Sequence, residues 1–493
     1  MFSNSEAIAT LALITFAFGF LVWGYSRAKP YGKLGILAWL QSVVLITPWL
    51  VFFGLVALGL YLNFIAIILL LVGSSAIYIY LGNRLRAEGQ DEILRQRATQ
   101  RLNTESIEAE NAPALNLDPE TAPIPLEDLQ KIKGIFGIDT FFATETIAYQ
   151  DGAIFRGNLR GDPDVVYERL AAKLKDWCDQ KYRLFLVESP EGKPIVIVLP
   201  STNDPQPLSL AQKNLAIVLT IATLATTLEA ASLLQGFDLF SNLGRYGEVL
   251  PLAIGVWVIL AVHELGHWLY AQRYGIKLSF PFLLPSWQIG TFGSLTRFAS
   301  LVPHRAALFD VAIAGPAFGG LISIILLLFG LVLSQPGHGF AIPTSFFQGS
   351  ILVGALAKTI LRDALQGAVV EIHPLTILGW LGLVITALNL MPAGQLDGGR
   401  IVQAIYGRKT ARRTTLATLI VLGIVGIFNF SNPIPLYWGM FILFLQRDLE
   451  RPSLNELSEP DDARAAFGLL ALFLMLATLI PLSPGLAERF GIG

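Results

Sequence analysis

Long apolar runs separated by short polar segments dominate the sequence. A helix needs roughly 20 apolar residues to cross a bilayer, because each residue adds about 1.5 Å along its axis. The runs predict about nine to ten spans, and hence an all-α polytopic membrane protein. The predicted spans lie at about 7–24, 35–60, 62–81, 214–236, 249–274, 308–334, 375–392, 415–431, 433–447 and 465–484.

A polar stretch and a region of short periodic elements interrupt this pattern. Residues 83–124 are charged and then rich in proline, which is typical of a solvated linker. The region that follows is too polar to span a membrane, so we expect a soluble insert. The predicted organisation is N-terminal spans at 1–82, the linker at 83–124, the insert at 125–207, a membrane-embedded core at 208–450, and a C-terminal segment with the last span at 451–493.

The insert has the local signals of a small α+β domain. Two strand-like runs flank Asp151-Gly152, a dipeptide that favours a tight hairpin turn. Asp162 precedes a proline, which is the typical start of a helix. On that helix four apolar residues share one face and should be buried, namely Val166, Leu170, Leu174 and Trp177.

Composition narrows the class of protein. Hydrophobic residues make up 53% of the 493 positions and charged residues 15%, whereas soluble domains have roughly 25% charged residues. This excludes an ordinary cytosolic enzyme and a disordered chain. From the same composition we expect a lipid bilayer around the chain and no nucleic-acid partner. The 35 basic and 37 acidic residues nearly balance, and the resulting net charge of -2 says little more about partners. The single cysteine, Cys178, excludes internal disulfides and cysteine-rich metal sites.

The distribution of basic residues predicts the topology, because Lys and Arg concentrate in cytoplasmic loops. With ten spans, the insert and the loop 394–414 fall on the cytoplasmic side and the N-terminus falls outside. The basic segments are 25–34, 82–101, 394–414 and 447–464, whereas 237–248 and 335–374 are poor in Lys and Arg.

The span 249–274 contains the sequence His263-Glu264-Leu-Gly-His267. Ionisable groups inside a membrane are costly, so they indicate function by default. The spacing of four residues places both histidines on one helix face, where they can bind one metal ion. Glu264 is then positioned to move protons between a water molecule and a leaving amine.

A catalytic zinc site uses three protein ligands and a water, so two histidines leave one ligand missing. Asp397 is the best candidate, because Pro392 breaks the preceding helix and the glycines after it allow the backbone to turn inward. A cap on the next helix is the alternative role for Asp397. Among the other histidines, His304 is possible, whereas His338 and His373 lie toward the opposite side of the membrane.

These motifs resemble those of the site-2 protease family of intramembrane zinc metalloproteases. The resemblance rests on His263-Glu264-Leu-Gly-His267 and on the segment from Asn389 through Pro392 and Leu396 to Asp397-Gly398. It implies that His263, His267 and Asp397 bind Zn²⁺, and that Glu264 is the general base. It also implies that Asn389 helps to hold the substrate backbone or its oxyanion.

Two further segments carry the resemblance. Gly290–Arg297 is similar to a family segment that forms a re-entrant hairpin and could pair with an unwound substrate. Gly157-Asn158-Leu159-Arg160 resembles the plastid and cyanobacterial branch named ethylene-dependent gravitropism-deficient and yellow-green proteins. The start of the chain lacks transit-peptide features. We therefore expect the plasma or thylakoid membrane of a cyanobacterium-like cell, with the active site toward the cytoplasm.

The resemblance implies an intramembrane endopeptidase that cleaves transmembrane helices of other membrane proteins. Two alternatives from other classes are a metal transporter lined by the same side chains and an inactive protease-like scaffold. A second enzyme hypothesis is a membrane zincin with a glutamate as third ligand, for which Glu371 is the candidate. The oligomeric state stays open.

Overall fold

The structure is a computed structural model that covers most of the chain after residue 123 and part of the N-terminal region. The described residues are 19, 21–57, 70, 73–74, 76–78, 80–82, 84–85, 124–149, 151–189, 191–335, 337, 339–429, 432 and 434–492. The predicted spans at 7–24 and 62–81 and the linker at 83–124 lie largely outside them. The chain divides into two compact units, Met1–Glu120 with Leu208–Ile221, and Thr121–Pro207 with Ala222–Gly493.

Helices make up most of the described residues, and the strands are short. The helices are α1 (Gly32–Ala57), α2 (Leu126–Gly134), α3 (Pro163–Cys178), α4 (Leu210–Leu234), α5 (Tyr246–Arg273), α6 (Arg305–Leu333), α7 (Ile351–Leu361), α8 (Pro374–Asn389), α9 (Asp397–Phe428), α10 (Ile434–Phe441), α11 (Asp462–Leu479) and α12 (Pro484–Phe490). The strands are β1 (Phe141–Tyr149), β2 (Gly152–Leu159), β3 (Tyr182–Glu188), β4 (Pro194–Pro200), β5 (Phe282–Ser286), β6 (Gly290–Leu295), β7 (Phe340–Pro343) and β8 (Val369–Ile372).

Five helices in the described part of the chain are long and apolar enough to cross a membrane. With the sheet in the insert, they confirm a mostly helical chain with a small α+β part, and the count of nine to ten spans stays a prediction. The five are Leu210–Leu234, Leu243–Arg273, Arg305–Leu333, Asp397–Phe428 and Asp462–Leu479, and shorter apolar helices are Gly32–Val44, Pro374–Asn389 and Ile434–Gln446.

The insert contains one antiparallel sheet with the strand order β1-β2-β4-β3. The predicted hairpin forms between β1 and β2, and Asp162 caps α3 by accepting from the backbone N–H of Asp164 at 2.9 Å. The predicted burial of Trp177 is wrong, because 47% of it is exposed and Cys178 is buried instead. The buried face of α3 continues through Leu174 to Cys178, one full helical turn later, which turns Trp177 away from the core.

A segment from the C-terminal part of the chain covers the outer edge of the insert sheet. We call residues 447–459 the linking segment. The backbone N–H of Leu186 in β3 donates to Leu454 O at 2.8 Å, and the N–H of Glu456 donates to Leu186 O at 2.9 Å. The same segment contacts the chain just before α6, where the N–H of Leu454 donates to Val302 O at 2.9 Å. The linking segment therefore joins the insert to the membrane-embedded core.

In the core, α6 packs against both α5 and α8, and the β5–β6 hairpin lies beside α5 and α8. The hairpin is fixed at its turn, because the Thr226 hydroxyl of α4 donates to Gly290 O at 2.6 Å. Every residue of β6 is buried except Leu295, which is half-buried. The hairpin thus packs among the helices rather than lying on the surface.

Two predicted loops contain regular structure. The loop predicted at 394–414 is helical from Asp397 onward, and only Gly407 (φ 77°, ψ 172°) interrupts α9. Arg305 caps the helix before this break by donating to Ala404 O and to Ile405 O, both at 2.7 Å. The loop predicted at 335–374 contains β7, α7 and β8, which cover an apolar cluster at the end of α6.

Candidate metal centre

Two histidines of α5 point into the protein interior. His263 and His267 are each 3% exposed, and their Nε2 atoms lie 3.1 Å apart. Residues four apart on a helix share a face. The four-residue spacing therefore brings the Nε2 atoms of the two histidines close together.

Asp397 meets these histidines from a distant part of the chain. It is the first residue of α9 and 6% exposed. Its Oδ2 atom lies 3.4 Å from Nε2 of His263 and 3.4 Å from Nε2 of His267. Within the part of the chain that the structure describes, these three form the one group of His, Cys, Asp and Glu side chains close enough to hold a metal ion.

The three atoms fit a zinc ion. Tetrahedral zinc with bonds of 2.0–2.2 Å holds its ligand atoms about 3.3 Å apart, close to the separations of 3.1 and 3.4 Å seen here. The other ring nitrogen of His267, Nδ1, lies 2.7 Å from the carbonyl oxygen of Val311. A proton on Nδ1 donated to this carbonyl leaves the lone pair of Nε2 free for a metal, as is usual for metal-binding histidines.

Glu264 follows His263 directly, and both its carboxylate oxygens are hydrogen-bonded. Ser294 Oγ donates to Oε1 and Thr296 Oγ1 donates to Oε2, each at 2.6 Å. Hydrogen bonds to a carboxylate are short and strong, so these two hydroxyls fix the carboxylate beside the histidines. Sequence analysis did not identify Ser294 and Thr296, although their alternation along a strand puts both hydroxyls on one face.

Asn389, the last residue of α8, is 1% exposed. Its Nδ2 donates to Ile385 O at 3.1 Å and lies against Gly293 of β6, where an added Cβ would come within 2.3 Å of Nδ2. Gly293 also has a φ of +104°, which favours glycine. The amide is therefore held between α8 and the strand that carries Ser294.

Comparisons with known proteins connect this geometry to a family. The family model described as "Peptidase family M50" matches residues 251–430, and "EGY3 middle domain" matches residues 130–207. The chain is 39% identical to "Probable zinc metalloprotease EGY2, chloroplastic" of Arabidopsis thaliana over 74% of this chain and 67% of that protein. The chain belongs to peptidase family M50.

Two further relatives support this assignment. The M50 chain is 35% identical to "Probable zinc metalloprotease EGY1, chloroplastic" of Arabidopsis thaliana, over 74% of this chain and 73% of the relative. It is 34% identical to "Probable zinc metallopeptidase EGY3, chloroplastic" of the same plant, over 73% and 66%. No solved structure matches the chain.

The comparisons confirm the predicted resemblance to the site-2 protease family and to its EGY branch. This M50 peptidase is accordingly a zinc-dependent hydrolase and a multi-pass membrane protein. The roles of His263, His267, Asp397, Glu264 and Asn389 remain predictions.

The alternative ligands of this M50 peptidase have other roles. The ring nitrogens Nδ1 of His304 and His373 each accept from a backbone N–H in the first turn of α6 and α8, respectively, and so cap these helices. Glu371 in β8 accepts from the backbone N–H of Gly337. His338 lies outside the described residues. His304, His373 and Glu371 do not belong to the group formed by His263, His267 and Asp397.

A cleft of about 850 Å³ opens beside Glu264. One wall is formed by α5 and the other by the chain that leads into the hairpin. Because Glu264 lines this cleft, an extended peptide lying in it could come within reach of the carboxylate. The lining includes Ala261, Leu265, Trp268, Leu278, Pro281 and Thr296.

Proposed function

We propose that this protein is an intramembrane zinc metalloendopeptidase that cleaves transmembrane helices of other membrane proteins. The observation that carries the proposal is the convergence of His263, His267 and Asp397 beside Glu264, on helices apolar enough to span a bilayer. Buried ionisable groups in such a helix are costly unless they serve a function.

The proposed chemistry divides among few residues. His263, His267 and Asp397 would hold the zinc ion, which when bound would supply Lewis-acid chemistry for water activation. Glu264 accepts the proton of the attacking water and returns it to the leaving amine. Asn389 donates to the oxygen of the scissile carbonyl as negative charge develops there.

The substrate must be extended where it is cut, because a helix hides its carbonyl groups in hydrogen bonds. We propose that the segment Gly290–Arg297 acts as a re-entrant hairpin and pairs with the unwound substrate by main-chain hydrogen bonds. The burial of β6 among the helices supports the re-entrant placement, and the cleft beside Glu264, which Thr296 lines, supports the pairing.

The decisive experiment compares the wild type with Glu264→Gln, using a membrane-embedded reporter and metal analysis of the purified protein. Loss of a general base is expected to reduce cleavage by about 10²- to 10⁴-fold with zinc retained. Glu248→Gln is the matched control, because Glu248 lies on the same helix but is exposed and paired with Arg245 at 2.7 Å. Equal cleavage by wild type and Glu264→Gln would refute the role of Glu264.

Further outcomes distinguish the alternatives. Asp397→Asn should lose zinc and activity together, and undisturbed zinc would show that the third ligand is assigned wrongly. Metal flux that continues in Glu264→Gln without any cleavage would support a transporter. A wild type that binds zinc but cleaves no reporter would support a scaffold.

We also propose that the active site faces the cytoplasm in the plasma or thylakoid membrane of a cyanobacterium-like cell. The concentration of Lys and Arg in the predicted cytoplasmic segments supports this orientation. In a Cys178→Ser background, a cysteine at the exposed position 193 of the insert should react with an impermeant maleimide in isolated thylakoids, whose cytoplasmic face is outermost, and for protein in the plasma membrane only after the cells are permeabilised. Labelling in intact cells would show that the insert lies outside the cell and that the proposed topology is inverted.

A further inference from the structure

Arg400 is a buried arginine at the centre of several contacts. It lies one helical turn after Asp397 and is 5% exposed. Its Nη1 lies 3.6 Å from Asp397 Oδ1, its Nε donates to Glu450 Oε2 at 3.0 Å, and its Nη2 donates to Thr296 O at 2.8 Å. The guanidinium also lies 4.7 Å from the ring centre of Phe298. A buried charge is costly without such partners.

These contacts connect two parts of the metal centre. Asp397 directs Oδ1 toward Arg400 and Oδ2 toward the two histidines. Arg400 also holds the backbone of Thr296, whose hydroxyl holds Glu264. One rigid guanidinium thus contacts both the carboxylate of Asp397 and Thr296, the residue directly after β6 that holds Glu264.

We propose that Arg400 is a positioning residue that sets the orientation of Asp397 relative to Glu264. The inference rests on the proposed metal centre. Mutation of a group that hydrogen-bonds to a metal ligand and orients it typically lowers metal affinity or activity by about 10- to 100-fold. An arginine suits this task better than a lysine, because its planar fork donates in several fixed directions at once.

Glu450 anchors this arginine from the linking segment. It is 8% exposed, and its backbone carbonyl accepts from Gln403 Nε2 at 3.2 Å and from Arg408 Nη1 at 2.5 Å. Glu450 is therefore fixed at both its side chain and its backbone. The position of Arg400 consequently depends on the linking segment as well as on α9.

The test measures zinc affinity by competition with a chelator, per folded molecule, and then kcat and KM with zinc saturating. Arg400→Met should weaken zinc affinity by about 10- to 100-fold and lower kcat similarly, with KM within about threefold of wild type. Arg400→Lys keeps a cation near Oδ1 and should regain part of the affinity. Identical values for the two variants would contradict an orienting role.

Arg305 provides the matched control. It is 6% exposed and also donates to main-chain carbonyls of α9, but it contacts neither Asp397 nor Thr296 in the described structure. Arg305→Met should lower thermal stability and leave zinc affinity per folded molecule within about threefold of wild type. An equal loss of zinc affinity in Arg400→Met and Arg305→Met would show that Arg400 only stabilises the fold. Unchanged zinc affinity in Arg400→Met would overturn the proposal.

Glu450→Gln keeps the inference testable if Arg400→Met fails to fold. It retains an acceptor oxygen but removes the anchoring charge, so zinc affinity should fall by a smaller factor, roughly threefold or more. Unchanged zinc affinity in Glu450→Gln would contradict the anchoring role. Because zinc binding is measured without substrate, a protein that proves not to be a protease can still confirm or refute the role of Arg400.

Discussion

Gly315 lies in α6 directly against the ring of His267. A Cβ added at this position would lie 2.2 Å from His267 Nε2 and 2.6 Å from each of two ring carbons. Ordinary contacts of a Cβ begin at 3.4 Å, so Gly315→Ala requires a displacement of about 1.2 Å. The added methyl group would therefore overlap the ring at Nε2, the nitrogen proposed to bind the metal.

The required displacement is far larger than a metal site tolerates. Ligand distances in a competent site are fixed to within about 0.2 Å, and a misplacement of about 1 Å can cost roughly 100-fold in activity. We therefore expect Gly315→Ala to weaken zinc binding by about 100-fold or more, which corresponds to about 2.7 kcal/mol. The backbone of α6 cannot give way easily, because α5 and α8 pack against it.

Two other glycines of α6 provide a graded control. At Gly319 the added Cβ would lie 3.1 Å from His263 Cβ and Nδ1, and at Gly320 it would lie 3.4 Å from Thr386 Cγ2. Gly319→Ala should therefore have an intermediate effect. Gly320→Ala should leave zinc binding intact and slightly stabilise the helix, by up to about 1 kcal/mol.

The assay is zinc content per folded molecule after dialysis against a chelator series, followed by reporter cleavage. The expected order of zinc affinity is Gly320→Ala above Gly319→Ala above Gly315→Ala. If Gly315→Ala holds zinc and cleaves as well as Gly320→Ala, the imidazole of His267 does not occupy the metal-binding position described here.

Two further predictions concern the hydroxyls that hold Glu264 and the single cysteine. Ser294→Ala and Thr296→Ala should each lower kcat by about tenfold with zinc unchanged, since each leaves one carboxylate oxygen without its hydrogen bond; equal kcat in the double variant and the wild type would contradict this. Burial raises the pKa of the Cys178 thiol, so less thiolate is present at any given pH. Its alkylation in the folded protein, followed by mass spectrometry, should still accelerate above about pH 9.5, where an ordinary thiol with a pKa of about 8.5 is almost fully ionised and levels off, and a plateau at that pH would refute the raised pKa.

The sequence predicted the parts of the site that depend on local geometry. The four-residue spacing of His263 and His267 implies a shared helix face, and the break at Pro392 allows Asp397 to turn inward. The structure brings His263, His267 and Asp397 together, and their role as zinc ligands stays a prediction. The contacts of Ser294 and Thr296 depend instead on how the hairpin packs against α5, which periodicity does not specify.

Arg400 illustrates a different limit. In the sequence it belongs to a basic segment, and its charge contributed to the predicted cytoplasmic loop 394–414. In the structure it is buried, because Glu450, 50 positions later, supplies the opposite charge. A charge pattern indicates the side of a membrane, but a distant partner decides whether an arginine is solvated or enclosed. The insert shows a similar limit. The helical pattern predicted that Trp177 is buried, but the buried residue is its neighbour Cys178.

The linking segment has a consequence for biosynthesis. A ribosome produces all three proposed zinc ligands and the complete insert before it reaches Glu450 and Leu454. Until then the newly made chain has no anchor for Arg400, and the outer edge of β3 offers unpaired backbone groups to other chains. Synthesis therefore completes the surroundings of the proposed metal centre only when the chain is nearly finished. Chains truncated before residue 450 lack the segment that pairs with Leu186, and we expect them to aggregate through the insert.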